Sequence, residues 1–215
     1  MNELVHDTIP QVIDSPFMKD VTNEYMETTD VKVKIGRKAV INHHFMYLAI
    51  SAGNNGSWSP GGPWEPVAYS TINEDSTAFF PQMGRGIVYL PIALMDNFKH
   101  QVMSYPILVE PNGNVRQLIP SKDKSQTEHV IITEMPNEKN DNLDPIAIGD
   151  QYSLFCYGEY GEGEAGEKVA TSNQLEIINL PRNALFRIEH RIKNEWGYRY
   201  ESRLFTVENG KVRWY

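Results

Sequence analysis

The chain has 215 residues, of which 40% are hydrophobic and 11% aromatic, and its formal net charge at pH 7 is −8. This acidic balance argues against a nucleic-acid partner, because phosphate binding requires a basic surface. The single cysteine, Cys156, excludes an intrachain disulfide and a cysteine-rich zinc site.

The N-terminal stretch, residues 1–21, is predicted to be irregular, since it mixes polar and apolar residues and contains Pro10 and Pro16. It lacks a cationic start followed by an apolar run, so it does not have the pattern of a signal peptide. We therefore expect a protein that is not exported, a fragment of a longer protein, or a chain from which a leader has been removed. No apolar run approaches the roughly 18 residues of a membrane helix, so no membrane span is expected.

The first predicted strands follow this stretch. Val31, Val33 and Ile35 alternate with lysines, which is typical of a strand with one buried and one wet face. Residues 44–51 are apolar on both faces and therefore predict a central strand that is covered on both sides.

Residues 63–91 (PWEPVAYSTINEDSTAFFPQMGRGIVYLP) form the stretch around which we expect the chain to be organised. Three strand-forming segments, 67–72, 78–80 and 87–90, are separated by turn-forming residues, and this spacing favours an antiparallel meander. Nothing in the stretch is arranged for a reaction. We therefore expect a folding motif there, not a site.

The second half of the chain starts after a polar segment, residues 120–127 (PSKDKSQT), which is the best candidate for a domain boundary. Asn209-Gly210 is a hairpin-turn signal, as is Asn112-Gly113 in the first half. The polar segments 137–144 and 158–167 are predicted to be long loops, the second of them mobile and acidic. Strands are predicted at residues 130–133, 152–157, 175–180, 184–188, 198–207 and 212–215.

The predicted fold class is all-β, because no long stretch repeats its apolar residues with a helical period. We expect two antiparallel β-sandwich domains of jelly-roll or immunoglobulin-like type. Their predicted limits are 22–120 and 126–215.

Several phrases resemble the accessory β-sandwich region of Bacteroidetes transglutaminase-like, discoidin-associated surface proteins. The most specific is the signature W-x-P-V…F-x-x-M-G-R-x-x-V-Y-L-P, matched here by residues 64–67, Phe80, 83–86 and 88–91. A junction that follows the catalytic domain in those proteins is matched by residues 20–25 (DVTNEY) and 29–31 (TDV). Their C-terminus is matched by residues 183–186, 205–210 and Trp214.

The resemblance implies β-sandwich modules, a Bacteroidetes-like source and an extracytoplasmic location: the periplasm, the cell surface or the medium. It supplies no catalysis, because the papain-like catalytic domain of those proteins would lie upstream of the residues matched here. It also supplies no ligand and no binding residues.

Three groups of residues invite a chemical interpretation, and each has a simpler structural one. Cys156 lies in a strand pattern on the face of Tyr152 and Leu154, which favours a buried thiol over a nucleophile. His43-His44 would point to opposite faces of a strand and so cannot easily share one metal ion. Residues 83–86 (MGRG) lack the lysine and helix of a phosphate loop and predict a turn in which Arg85 pairs locally.

A fourth group, residues 140–144 (NDNLD), is rich in oxygen ligands. It lacks the regularly spaced ligands of a calcium loop, so we favour a solvated loop over a structural calcium site. No catalytic residue, metal ligand or cofactor is predicted.

The binding hypothesis concerns the Gly/Pro/Asn-rich stretch 54–64. Trp58 and Trp64 could present indole faces to a sugar ring, with Asn54 and Asn55 as hydrogen-bonding side chains. The alternative is that one or both indoles close the end of the sandwich as core residues, since a buried indole needs only one N–H partner.

These observations predict a non-catalytic accessory or binding module of an exported bacterial protein, with a glycan or a cell-surface protein as partner. The first alternative is a structural or protein-interaction module without a small ligand. The second is a hydrolase that uses carboxylates from the long loops.

Overall fold

A computed structural model of the protein describes residues 27–35, 45–51, 64–94, 100–137 and 142–215. Within these ranges every regular element is a β-strand and all strand pairs are antiparallel, which confirms the predicted all-β class. The described part of the chain contains no helix long and apolar enough to cross a membrane. Residue contacts divide the chain into two compact units, and the described residues pass from unit 1 to unit 2 between Gln117 and Leu118.

The described part of unit 1 contains two sheets. The larger has the strand order β3-β2-β5-β7-β8, with β6 paired to β5, and the smaller pairs β1 with β4. The strands are β1 (Thr28–Lys34), β2 (Phe45–Ser51), β3 (Trp64–Thr71), β4 (Thr77–Gly84), β5 (Ile87–Leu94), β6 (His100–Val102), β7 (Ile107–Val109) and β8 (Val115–Gln117).

The core of unit 1 forms because both sheets contribute apolar side chains to one cluster. Val31 and Phe80 come from the small sheet, and Leu48, Val67 and Ile107 come from the large one. Strand β2 lies between β3 and β5 and is buried on both faces from residue 46 to residue 50, which confirms the predicted central strand. The alternating burial along β1 likewise confirms its predicted wet face.

The predicted meander is wrong. Strands β3 and β5 both pair with β2, whereas the intervening β4 pairs with β1 in the other sheet. Only an isolated bridge, Ile72 to Ala78, joins the end of β3 to β4. The turn residues specify where the chain reverses, but the choice of partner is made by the core. Strand β4 buries Ala78 and Phe80 and exposes Phe79, so it covers the core from the opposite side.

The signature stretch is nonetheless a folding motif, as predicted. Its residues Phe80, Met83, Val88, Tyr89 and Leu90 are all buried. Most of the specific part of the motif therefore builds the core of unit 1.

Arg85 in the same stretch was predicted to pair locally, but its partners lie at the start of β1, far away in the sequence. Its Nε donates to the carbonyl of Thr28 at 3.2 Å and to Oγ1 of Thr29 at 2.9 Å, and its Nη1 pairs with the carboxylate of Glu27. The following Gly86 has φ of 79°, which glycine adopts readily and which closes the turn between β4 and β5. Arg85 thus fastens this turn to the start of β1.

Unit 2 has a five-stranded sheet with the order β13-β12-β15-β16-β17 and two two-stranded sheets, β14-β9 and β10-β11. The strands are β9 (Thr127–Ile132), β10 (Glu134–Pro136), β11 (Leu143–Pro145), β12 (Gln151–Gly158), β13 (Gly161–Val169), β14 (Leu175–Pro181), β15 (Phe186–Asn194), β16 (Gly197–Glu208) and β17 (Lys211–Trp214).

The core of unit 2 lies between the five-stranded sheet and the β14-β9 pair. Val130 and Ile177 from the pair join Ile188 and Phe205 from the larger sheet in one buried cluster. The ring of Phe205 lies 5.3 Å from that of Phe186, a distance typical of favourable aromatic pairs. The predicted hairpin turns are confirmed: Asn209-Gly210 joins β16 to β17 with both φ angles positive, and Asn112-Gly113 joins β7 to β8.

Two predicted loops are in part strands. Residues 161–169 form β13, which pairs with β12 except at a bulge at Ala165, so the predicted mobile acidic loop is wrong. Residues 143–145 form β11, which pairs with β10. Both segments lack an apolar face and therefore lack the sequence signal of a strand. They are ordered by backbone hydrogen bonds to a neighbour that the sequence pattern does not identify.

The adjacent phenylalanines of β4 provide a test of the core of unit 1. Phe80 is 0% exposed and Phe79 is 48% exposed. We expect Phe80→Ala to lower the free energy of unfolding by about 3–5 kcal/mol, because it leaves a cavity. Phe79→Ala should lower it by about 1 kcal/mol or less. Urea denaturation of both variants measures the difference, and equal losses would mean that β4 does not face the core as described.

Candidate functional site

The residues of the predicted glycan site cannot be placed. Asn54, Asn55 and Trp58 lie outside the described residues. Trp64 begins β3, but its side chain is outside what the structure describes. His43, His44 and residues 140–141 also lie outside the described residues. A site at residues 54–64 stays a prediction.

The only thiol, Cys156, packs against the core of unit 2 as a partly buried side chain beside Leu154. It lies on β12 opposite Phe186 of β15 and Gly163 of β13. Burial raises the pKa of this thiol from its ordinary value of 9.0 to about 11. A catalytic cysteine needs a lowered pKa, so this environment favours a structural thiol, as predicted.

Metal binding finds no support in the described residues, which contain no group of three or more His, Cys, Asp or Glu side chains placed to hold an ion. In the segment considered for calcium, the side-chain amide of Asn137 donates to Asp144 Oδ1 at 3.2 Å. The backbone N–H of Asn137 also donates to the carbonyl of Asn142 at 2.8 Å. These contacts brace the β10-β11 hairpin.

An aspartate–histidine pair lies at one end of the core of unit 2. His190 Nε2 is 2.8 Å from Asp150 Oδ2, and the His190 ring stacks on Tyr152 with 4.7 Å between ring centroids. The residue opposite His190 on β16 is Glu201, which is ion-paired with Arg199 at 2.8 Å. Burial, with the charge of Asp150 as a second cause, raises the pKa of Tyr152 to about 12, so its hydroxyl stays neutral. The pair therefore orders a polar strand end. In these contacts it faces no serine or thiol that it could activate as a nucleophile.

A second carboxylate cluster surrounds Arg187 of β15. Both carboxylate oxygens of Glu162 accept hydrogen bonds from this guanidinium at 2.8 Å, and Glu189 accepts a third at 2.8 Å. The guanidinium carbon lies 4.0 Å from the centre of the Phe155 ring. Because both oxygens of Glu162 are occupied, this pair of carboxylates is arranged to hold three strands together and is poorly placed to act as an acid and a base.

The described surface that best suits ligand binding is the tip of the β15-β16 hairpin. Trp196, in the turn, is 94% exposed, and Tyr198 and Tyr200 are 51% and 43% exposed. We call these three residues the aromatic hairpin. The two tyrosines are two residues apart on β16 and so lie on one face, and the guanidinium of Arg191 stacks 3.7 Å from the Tyr198 ring centre. Nη1 of Arg191 donates to Gln151 Oε1 at 3.1 Å, which orients this face.

The aromatic hairpin is not among the predicted sites, although the sequence contains a signal for it. Trp196 falls in a two-residue turn, Glu195-Trp196, followed by Gly197 with φ of 130°. An indole in such a turn cannot point into a sheet core and must be exposed or covered by a partner.

No protein-family model matches the chain, and no curated protein matches it significantly.

The raised pKa of Cys156 gives a prediction about its reactivity. A shift from 9.0 to about 11 lowers the thiolate fraction at neutral pH by about 100-fold. We expect the native protein to react with a thiol reagent at pH 7.4 about 100-fold more slowly than the urea-unfolded chain, and the native rate to rise with pH towards pH 11. Stopped-flow absorbance measures both rates, with Cys156→Ala as the blank. Rapid native reaction with an apparent pKa below 8.5 would reverse the structural assignment.

Proposed function

We propose that the chain is a non-catalytic binding module of an exported bacterial surface protein and that its ligand is a carbohydrate. The observation that carries the proposal is the aromatic hairpin, which presents an indole and two phenol rings to solvent beside an oriented guanidinium. Exposed aromatic side chains that lie near one another suit an interaction site, because each combines an apolar ring with a polar group.

A sugar ring suits this surface because its faces are mostly C–H and its rim carries hydroxyl groups. The faces can stack on Trp196 or Tyr200, while the rim hydroxyls meet polar groups such as Lys193 and Gln151. Tyr198 and Tyr200 lie on a strand of the five-stranded sheet, so their rings are held by a rigid element.

The resemblance of the signature stretch supports the non-catalytic part of the proposal. Its residues pack in the core of unit 1, as expected of a module whose recognisable motif specifies the fold. By that resemblance we also propose an extracytoplasmic location in a Bacteroidetes-like source.

A protein partner is the second candidate, and the same hairpin favours it. Trp, Tyr and Arg are the residue types that dominate binding energy at protein interfaces, and all three are present here. A glycan array distinguishes the two candidates, because a protein-interaction module gives no saturable glycan signal.

Removal of the indole tests the carbohydrate site. After a binding glycan has been identified on an array, we expect Trp196→Ala to weaken its affinity about five-fold, since one ring contact contributes on the order of 1 kcal/mol. Titration calorimetry gives the affinity of each variant.

The matched control is Tyr160→Ala, which removes an exposed aromatic residue from a different hairpin turn, between β12 and β13. Its affinity should be unchanged. Trp58→Ala tests the site predicted from the sequence in the same assay. If Trp58→Ala abolishes binding at unchanged stability and Trp196→Ala has no effect, the ligand site lies in the 54–64 stretch and not on the hairpin.

A further inference from the structure

A groove runs along unit 2 between β12 and β13 on one side and β14 on the other, with a volume of about 140 Å³. Its floor is apolar and is formed by Tyr152, Leu154, Ile177, Phe186 and Ile188. This groove is separate from the aromatic hairpin, none of whose residues line it.

The groove exists because the two facing sheets are unequal. The β14-β9 pair has two strands and the opposite sheet has five, so the inner face of the larger sheet is not fully covered. Leu154 points to this inner face but is only partly buried. Across from it, β13 presents Gly166, which adds no side chain to fill the space.

Two of the strands that border the groove, β13 and β14, carry a bulge there. In β13, Ala165 has no partner on β12, and in β14, Ile178 and Asn179 together oppose a single residue of β9. Asn179 adopts φ of 60°, a conformation that this residue type tolerates. All three bulge residues line the groove. Bulges leave main-chain groups outside the ladder and also discourage the addition of another strand, so they suit a small polar head group better than an extended peptide.

The groove also carries a positive charge. Lys168 lies opposite Tyr152 on the inner face of the sheet, lines the groove and is exposed. Its ammonium makes no ion pair or hydrogen bond with any residue that the structure describes. The neighbouring Glu167 also lines the groove. It is opposite Ser153, so its side chain projects from the other face of the sheet and its main chain borders the groove.

We propose that the groove binds a small carboxylate whose apolar body is about the size of one six-membered ring. A cavity of about 150 Å³ lined by Leu, Ile and Phe accommodates benzene, so the volume here fits one such ring. The ring lies on the Phe186 and Leu154 side of the groove, the carboxylate pairs with Lys168, and the bulged main chain donates further hydrogen bonds.

Titration of the full chain with phenylacetate, followed by two-dimensional NMR, tests this assignment. We expect saturable shifts confined to residues of the groove, with a dissociation constant on the order of 1 mM for so small a ligand. Lys168→Met should weaken phenylacetate binding about five-fold and leave binding of the neutral phenylacetamide unchanged. Lys122→Met, which removes an exposed lysine outside the groove, should change neither.

Leu154→Phe provides the second variant, since it adds volume to the groove and should weaken both ligands. Circular dichroism confirms that each variant remains folded. Shifts that do not saturate, or that are the same in Leu154→Phe, would overturn the proposal. If Lys168→Met weakens the binding of phenylacetate and of phenylacetamide equally, Lys168 does not recognise the carboxylate and the proposal is wrong. Shifts seen only with an extended uncharged peptide would assign the groove to strand addition instead.

Discussion

The burial of strands on one or both faces is the constraint on which both units depend. Strand β2 is apolar on both sides, so it must be flanked within its sheet and covered by side chains from beyond it. That requirement places β3 and β5 on its two edges and sends β4 to the opposite sheet. In unit 2, Ile188 and Phe205 on the large sheet must also be covered by apolar side chains. The β14-β9 pair covers only part of the inner face of that sheet.

Much of the fold follows from the sequence because apolar alternation and turn residues act locally. The all-β class, the central position of β2 and the hairpin turns at Asn112-Gly113 and Asn209-Gly210 were predictable in this way. Strand partners were not, since pairing depends on which distant strand completes a core. β13 was missed for a related reason. Its Gly and Glu residues have no apolar face, and its order comes from hydrogen bonds to β12.

The surface features were less predictable than the core. Residue type alone does not distinguish an exposed tryptophan such as Trp196 from a buried one. The position of Trp196 in a turn is what indicates its exposure. The groove of unit 2 arises from a mismatch in strand number between two sheets and from bulges in β13 and β14, which are properties of pairing over long sequence distances. The residues predicted to bind a glycan, Asn54, Asn55, Trp58 and Trp64, remain a hypothesis that rests on composition.

The outer edge of β13 bears on how copies of this protein behave at high concentration. An unpaired strand edge invites the same strand of a second copy to pair with it. Here Glu164 and Glu167 project from one face of the strand, on which Glu162 is neutralised by Arg187, so two copies approaching edge to edge bring like charges together. At neutral pH the strand is therefore self-repelling, and dense arrays of the protein can stay unassociated.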